Sequence, residues 1–509
     1  MCHLVRVLTL SLTLALGPQA QAAIDMPPGI AWRAAAQDSD IEAAFAAAKG
    51  ENKPVLLYWG AKWCPPCNQL KATLFNRADF IEQSRGVIPV QIDGDLPGAQ
   101  KLGARFKVRG YPTLILFSPS GQELNRLPGE ADAERVVKLF QMGLSGGRPI
   151  KTVLAEAKAG KALKAAEWQL LSYYSWDTDE QQLVPAKERA ALLQRLSQAK
   201  GLPTEARTRL ALKALAAGAA PAQGDAEHLA AVLKDSKRVR THLDVLGNSA
   251  DDLVRGLHAK PGSARAALIQ QLDQALATQQ ADAQLSRADR VNCLIARVQL
   301  ARIDAAQDET APRLEAALLN EVRGLSNLMD REIKDGYERQ AVMTAVGHLL
   351  GLAGLWAESD AMLKANLAKS HSPYYLMNQL GSNARKTGRK DEALSWYEQA
   401  FNKSEGPATR LQWGSTYFEN LVKLAPQDGA RIEKLAAQLI SEAEKDKGAF
   451  YERSARSLQK VSDQLVPWAK GANAPVLQRL QSQLGPVCAK LDTADAQRST
   501  CEGLLKPKG

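Results

Sequence analysis

The chain has 509 residues, of which 45% are hydrophobic, and its 65 Lys and Arg against 55 Asp and Glu give a formal net charge of +10. This length exceeds what one hydrophobic core normally supports, so two or more domains are expected. The basic residues are spread among acidic ones rather than gathered into runs, which argues against nucleic acid as a partner.

Residues 1–22 have the features of a secretory signal peptide. Met1–Arg6 carries one arginine, Val7–Leu16 is apolar, and Ala20–Ala22 offers small residues for cleavage. The alternative is a membrane anchor, but an anchor needs about twenty apolar residues, and Gly17 interrupts this run. No later apolar segment is long enough to cross a membrane. We therefore expect an exported protein, located in the periplasm, with no stable membrane span after signal cleavage.

The first elements after the signal are a helix and a buried strand. The capping-box pattern from Ser39 to Glu42 predicts a helix that runs to about Lys49, where Gly50 is well placed to end it. The continuous apolar run PVLLYWG, residues 54–60, is typical of a strand that is covered on both faces of a sheet. This strand leads directly into the sequence WCPPC.

Further helices and strands alternate as far as residue 143. Helix formers follow the cysteines, apolar runs of strand length come next, and a further helix is expected before the last two strands. The predicted elements are a helix at 68–74, strands at 86–93, 113–117 and 123–127, and a helix at about 132–143.

Cys64 and Cys67 admit three interpretations: a redox pair, half of a zinc site, or a structural bridge. Tetrahedral zinc needs four ligands, but the chain has no second CxxC pair and its histidines lack ligand spacing. A structural bridge across so short a loop removes little entropy from the unfolded chain. The pair therefore favours redox chemistry, and the sequence predicts neither a metal nor a cofactor.

Three features together carry a family resemblance: WCPPC after a buried strand, GYPT before the last two strands, and a closing helix. With them, the segment from Trp32 to Gly143 resembles a thioredoxin-fold domain. The resemblance implies a central mixed sheet flanked by helices and an activity in thiol–disulfide exchange. We place this domain at residues 23–145.

The resemblance also implies roles for single residues. Cys64 corresponds to the exposed nucleophile of the family and Cys67 to its buried resolving thiol. Trp63 corresponds to the tryptophan before the cysteines, and Pro112, preceded by Tyr111, to the cis-proline that faces them.

The surroundings of the pair suggest a direction for the exchange. A helix N-terminus favours a thiolate, but Pro65 and Pro66 have no N–H to offer the Cys64 sulfur. We therefore expect a moderately stabilised thiolate and a protein that is a reductase, an isomerase or an electron relay rather than a strong oxidase.

Tyr58 stands where cytosolic thioredoxins carry a buried aspartate, and Glu51, Asp93 or a water molecule remain as substitutes in proton transfer. The sequence of the motif region resembles exported thioredoxin-like domains, including the C-terminal domain of the periplasmic disulfide reductase, more closely than it resembles cytosolic thioredoxins. This resemblance implies client proteins with thiols or disulfides and a membrane electron donor.

The remaining cysteines follow other patterns. Cys488 and Cys501 lie in predicted helices near the C-terminus and are candidates for a structural disulfide. The alternative is a second redox pair that feeds Cys64, although the spacing lacks helix-start chemistry. Cys293 lies on an apolar helix face and is expected to be a buried free thiol.

The region from 150 to 509 is rich in helix formers with helical spacing, and the boundary before it is placed in Ser145–Pro149. Tyr374–Pro407 has tetratricopeptide-like spacing, carried by Leu380, Gly381, Ala384, Gly388, Ala393, Tyr397, Ala400 and Pro407. The region is either an α-helical, tetratricopeptide-like array that binds a protein or peptide, or a helical domain that only packs on the thioredoxin fold.

Two functions follow from these patterns. The first is an exported thiol–disulfide oxidoreductase whose helical region selects or places its clients. The alternative is a helical scaffold of the cell envelope that uses the thioredoxin fold for docking. The intact WCPPC and GYPT favour the first, because a reactive cysteine pair is a liability unless it is used.

Overall fold

The computed structural model describes residues 26–129, 131–179, 182–306 and 308–506. These residues form five β-strands, all in one sheet, and 25 α-helices. The predicted signal peptide lies outside the described residues. Within them, no helix has both the length and the apolar character required to cross a bilayer.

The sheet is mixed, with strand order β1-β3-β2-β4-β5. β1 and β2 pair in parallel with β3, whereas β4 pairs in antiparallel with both β2 and β5. The strands are β1 (Arg33–Ala35), β2 (Val55–Gly60), β3 (Ile88–Asp93), β4 (Thr113–Phe117) and β5 (Glu123–Leu127).

Helices cover both faces of this sheet, as the patterns of the central strand require. In β2, Leu56 and Tyr58 point into one core while Leu57 and Trp59 point into the other, and all four are buried. The helices of this part are α1 (Asp38–Glu51), α2 (Pro65–Ala72), α3 (Ala78–Ser84), α4 (Ala99–Arg105) and α5 (Ala133–Leu144). The predicted thioredoxin fold is confirmed.

The ends of α1 differ from those predicted. The helix begins at Asp38, where the Asp40 carboxylate accepts the backbone N–H groups of Ala36 (2.9 Å) and Gln37 (3.1 Å). The capping box thus lies two residues earlier than Ser39. The helix also passes Gly50 and ends at Asn52, whose φ of 50° is a left-handed conformation that asparagine tolerates.

In the described residues after α5, the regular secondary structure is helical, as predicted. The helices are α6 (Ile150–Lys158), α7 (Ala165–Ser172), α8 (Ala186–Ser197), α9 (Thr204–Ala216), α10 (Asp225–Leu233), α11 (Ser236–Thr241), α12 (Leu243–Asn248), α13 (Ala250–Leu257), α14 (Ser263–Ala281), α15 (Arg287–Ala301), α16 (Ala316–Glu332), α17 (Gly336–Leu352), α18 (Trp356–Asn366), α19 (Pro373–Lys386), α20 (Lys390–Lys403), α21 (Pro407–Leu424), α22 (Gly429–Lys445), α23 (Glu452–Trp468), α24 (Ala474–Ala489) and α25 (Ala496–Gly503).

The segment with tetratricopeptide-like spacing forms the helical pair α19 and α20. A Cβ at Gly381 would lie 2.9 Å from the Tyr397 ring, so the small residue permits the close approach of the two helices. Gly388, with φ of +79°, makes the turn between them. The pair therefore packs as the spacing predicts, while its assignment as a tetratricopeptide repeat stays a prediction.

The helical region packs directly on the thioredoxin domain. α17 lies against α2, the helix that follows the first cysteine, and α23 lies against α4. Residues more than 250 positions apart in the chain are thereby brought to the redox motif, which determines the surroundings of the candidate site.

Candidate redox site at Cys64 and Cys67

Cys64 is the N-cap residue of α2 and is joined to Cys67 by a disulfide, with 5.2 Å between the two Cα atoms. Pro65 and Pro66 occupy the first two helical positions. The N–H groups of these positions have no partner within a helix, so proline costs no helical hydrogen bond there. The Cys67 N–H donates to Cys64 Sγ at 3.2 Å. One backbone donor of the first turn is thus aimed at the sulfur.

The two cysteines are more deeply buried than we expected. We predicted an exposed nucleophile, but Cys64 is only 3% exposed and Cys67 is fully buried. The difference arises because the helical region covers the surface around α2, and no local sequence pattern reports such a cover.

The Trp63 side chain is held by residues from both parts of the chain. Its indole N–H is shared between Asp95 Oδ2 (2.8 Å) and Thr409 Oγ1 (2.7 Å). Its ring stacks on Tyr375 at 5.8 Å and meets Trp413 edge-on at 5.7 Å. Three of these four partners belong to the helical region, so that region forms part of the candidate site.

Tyr111 and Trp63 share a cation from α23. The Arg453 guanidinium lies 4.0 Å from the Tyr111 ring centre and 5.2 Å from that of Trp63, within the range of a cation–π interaction. Gln100 links the two sides, because its amide donates to the Tyr111 hydroxyl at 3.0 Å and accepts the Arg453 backbone N–H at 3.0 Å.

The backbone around the cysteines is also fixed from the helical region. Gln340 of α17 donates to the Trp63 carbonyl at 3.1 Å. The Asn68 amide donates to the Cys64 carbonyl at 2.8 Å, and its oxygen lies 3.2 Å from Nε2 of His371. The start of α2 is therefore held by a hydrogen bond within the helix and by side chains of the helical region.

The peptide bond between Tyr111 and Pro112 is cis. Pro112 packs against Gly129, where a Cβ would come within 2.8 Å of the proline ring. The hydroxyl of Tyr111 lies where a Cβ at Gly94 would stand, 1.8 Å away. Both glycines are thus required by close packing around the GYPT segment.

Two carboxyl groups lie beside this site, of which Asp95 is buried and Asp93 is half-buried. Burial raises the pKa of Asp93, and the neighbouring Asp95 raises it further. Burial also raises the pKa of Asp95, against the opposing effect of hydrogen bonds from Thr409 and Trp63. The Asp95 N–H donates to the Asp93 carboxylate at 3.0 Å, which joins the two groups.

The two side chains named for proton transfer, Glu51 and Asp93, and Tyr58, which replaces the buried aspartate, have different surroundings. Glu51 pairs with Lys53 at 2.9 Å on the exposed surface. Asp93 lies at the end of β3, in register with Gly60. Tyr58 is fully buried, its hydroxyl has no hydrogen-bond partner among the described residues, and burial raises its pKa.

A groove separates the outer side of α2 from the helical region. It has a volume of about 470 Å³ and is lined by Pro65, Pro66 and Gln69 on one side and by α12, α15, α17, α19 and α21 on the other. A second cavity of about 260 Å³ shares four of its lining residues and extends towards α5. Because Pro65 and Pro66 line the groove, it reaches the segment between the two cysteines.

The other cysteines lie elsewhere. A disulfide joins Cys488 and Cys501, which are both buried, across α24 and α25. Cys293 is a buried free thiol, and burial raises its pKa to about 12. Across the described ranges, no group of three or more His, Cys, Asp or Glu side chains is arranged to hold a metal ion.

Sequence reasoning did not find the partners from the helical region: Gln340, Tyr375, Thr409, Trp413 and Arg453. Each lies in an ordinary helical segment, and no local motif distinguishes it from a residue of a helix core. Their position beside Trp63 depends on the packing of α17, α19, α21 and α23.

Comparison with known proteins connects this site to thiol chemistry. A family model described as a thioredoxin-like domain matches residues 41–143. The thiol:disulfide interchange protein DsbD 2 of Pseudomonas aeruginosa is 34% identical over 107 residues, which are 20% of this chain and 18% of that protein. A protein disulfide-isomerase of Triticum aestivum is 30% identical over 118 residues, which are 23% of this chain and 20% of that protein.

These two relatives are thus matched over a fifth of their length or less. A thioredoxin-like protein of Synechocystis is matched more completely, with 31% identity over 93 residues that are 18% of this chain and 84% of that protein. Through the domain that carries Cys64 and Cys67, the chain belongs to the thioredoxin-like family.

Proposed function

We propose that the protein is a thiol–disulfide oxidoreductase that exchanges disulfides with client proteins through Cys64 and Cys67. The observation that supports this most directly is the disulfide at the start of α2, with the Cys67 N–H on the Cys64 sulfur. A helix start of this kind favours the thiolate, which is the reactive form.

The exchange takes two steps in the reducing direction. The Cys64 thiolate attacks one sulfur of a client disulfide, and the other client sulfur leaves as a thiolate. The Cys67 thiolate then attacks Cys64 Sγ, which releases the second client thiolate and closes the Cys64–Cys67 disulfide. Two electrons pass to the client, and in this proposal Trp63, Tyr111 and Pro112 form the surface beside the reacting sulfurs.

The direction we propose is reduction, isomerisation or electron relay rather than strong oxidation. Pro65 and Pro66 leave one backbone donor on the Cys64 sulfur, which limits stabilisation of the thiolate. We place the protein in the periplasm, where a membrane electron donor would recharge it. A reduction potential of about −270 mV would mean a reductant and support this direction, whereas one of about −120 mV would mean a disulfide donor and contradict it.

Replacement of the resolving cysteine tests the proposed activity. Cys67→Ala leaves Cys64 to form mixed disulfides that nothing within the motif can resolve, so we expect clients trapped on the protein. The matched control is the double variant Cys64→Ser and Cys67→Ala, which should trap none. Equal recovery of partners with both variants would contradict the proposal.

A second candidate function is supported by the burial of Cys64, which is 3% exposed. In this alternative the protein is a helical scaffold of the cell envelope that uses the thioredoxin fold for docking, and its disulfide is rarely exchanged. The scaffold predicts that Cys64→Ser with Cys67→Ser leaves partner binding unchanged and that Cys67→Ala traps no client.

A further inference from the structure

The groove over α2 is a continuous passage beside the redox motif. Its larger cavity, of about 470 Å³, contains Pro65 and Pro66 in its lining and is within the size range of ligand-binding clefts. It continues into the cavity of about 260 Å³ through residues common to both: Gln69, Asp132, Leu285 and Asp289. A chain segment that lies along this passage contacts Pro65 and Pro66, the two residues between the cysteines.

Four carboxamide side chains are part of the polar lining on the helical side. Asn248 comes from α12, Asn292 from α15, and Asn378 and Gln379 from α19. A carboxamide offers both N–H donors and a carbonyl acceptor, and a peptide unit presents the same two groups. Asn292 donates to Asn248 at 3.1 Å and Gln379 donates to the Thr344 carbonyl at 3.0 Å, so the complementarity to a polypeptide backbone lies in Asn378 and the Gln379 oxygen.

Several polar groups of this lining have no hydrogen-bond partner among the described residues. They are the Trp413 indole N–H and the Gln379 Oε1 atom, which are buried, and the side chain of Asn378. Trp413 itself is 6% exposed. A buried polar group without a partner costs free energy, and a backbone in the groove would supply a carbonyl to Trp413 and an N–H to Gln379.

The charged groups of the groove, by contrast, are already satisfied. Each carboxylate in the lining has a partner within the chain. The pairs are Asp132 with Arg240 at 3.0 Å, Asp244 with Arg209 at 2.6 Å, and Asp289 with Gln69 at 3.0 Å. Asp132 and Asp244 are thus neutralised by arginines and Asp289 is hydrogen-bonded by the neutral groups of Gln69 and Ser286, which favours recognition of the backbone over recognition of charge.

The cover over Cys64 restricts the shape of a client. With 3% of Cys64 exposed, the broad surface of a folded protein is kept away from the sulfur by the helical region. An extended segment is narrow, since neighbouring strands in a sheet lie only about 4.8 Å apart. A groove of this kind therefore admits an extended chain and excludes a folded one.

We propose that this groove binds an extended, cysteine-containing segment of an unfolded client through the backbone of that segment. The inference rests on the proposed function and adds the class of client. In the reduced protein, the Cys64 thiolate attacks the sulfur of a client mixed disulfide and the small thiol leaves as a thiolate. Cys67 then releases the client thiol and closes the Cys64–Cys67 disulfide, so that two electrons pass to the client.

The test compares two substrates of the reduced full-length protein by single-turnover tryptophan fluorescence. One is a short uncharged peptide whose single cysteine carries glutathione as a mixed disulfide, and the other is glutathione disulfide. We expect Asn378→Ala to lower the ratio of the peptide rate to the small-substrate rate about fivefold, the loss of one hydrogen bond. Asn327→Ala, on the exposed side of α16 and outside the groove, is the matched control and should keep the ratio of the unaltered protein.

A second measurement does not depend on a variant. A client protein with a glutathionylated surface cysteine should be reduced more slowly when folded than when unfolded. An unchanged ratio in Asn378→Ala, together with equal rates for the folded and the unfolded client, would contradict client binding in the groove. The proposed exchange activity would not be affected by that result. Absence of any reaction with glutathione disulfide would overturn the proposed function and this inference with it.

Discussion

Trp63 is the residue at which the two parts of the chain meet most closely. Its indole N–H reaches Asp95 from the loop after β3 and Thr409 from α21, while Arg453 from α23 lies over its ring. In the proposed reaction this network fixes the side chain next to Cys64. The same network encloses Asp95 and so determines how that carboxyl group titrates.

Asp95→Asn should make stability less dependent on pH. Because the folded pKa of Asp95 is raised above its ordinary value of 3.8, the folded state binds more protons in the interval between the two values, and stability falls as pH rises through that interval. An asparagine carbonyl still accepts from Trp63 but has no proton to lose. Each unit of pKa difference is worth about 1.4 kcal/mol.

Urea unfolding at about pH 5 and about pH 8 measures this change. The unaltered protein should lose more stability over that range than the variant. Asp79→Asn is a suitable control, because Arg77 holds the pKa of Asp79 below its ordinary value and its titration lies under this range. An equal loss in Asp95→Asn and in the unaltered protein would show that Asp95 does not titrate as the structure indicates.

At the scale of elements, the C-terminal helices show how a local bond supports a small packing unit. α24 and α25 are joined by the Cys488–Cys501 disulfide, and both sulfurs lie in a core shared with α22 and α23. Small hairpins bury little apolar surface by themselves, so a cross-link that restricts the unfolded chain contributes substantially.

Replacement of both Cys488 and Cys501 by alanine should lower the free energy of unfolding by about 3 kcal/mol, as for a closed loop of similar length. Chemical unfolding of the variant under oxidising conditions measures the loss. The reduction potential of Cys64–Cys67 should stay the same. A shifted potential would instead favour the alternative that Cys488 and Cys501 form a second redox pair.

At the scale of the whole molecule, the helical region covers the redox face of its own thioredoxin domain. α17 lies along α2, and residues of α19, α21 and α23 surround Trp63. The result is a cysteine pair that is buried under the helical region and not open to solvent. Reagent size should therefore decide how fast the reduced pair reacts.

Alkylation of the reduced protein tests this cover. N-ethylmaleimide should modify Cys64 much faster than a maleimide that carries a polymer chain, because only the small reagent passes the helical region. In urea the two reagents should react without such a difference, and Cys64→Ser identifies the site of modification. Similar rates for both reagents in the native protein would mean that the pair is openly accessible.

Local interactions made much of the fold predictable from sequence. The bounds of β4 and β5 agree with the alternation and turn signals of residues 113–127, and α5 begins after the Asp132 cap. β1 was not predicted because three residues carry too short a pattern, and α1 was displaced because Asp40, not Glu42, closes its capping box. The displacement of α1 affects only its bounds, whereas β1 and the short helix α3 are elements that the sequence patterns did not reveal.

The sequence by itself determined the thioredoxin fold, the helical character of the second region, and the place of Cys64 and Cys67 at a helix start. Those features depend on residues that are close together in the sequence, and the periodicity and capping residues of a short segment are enough to predict them. Only the tertiary structure decided the burial of Cys64, the partners of Trp63 and the groove. Thr409 is 346 residues from Trp63 along the chain, and a contact over such a distance depends on the packing of every helix between them.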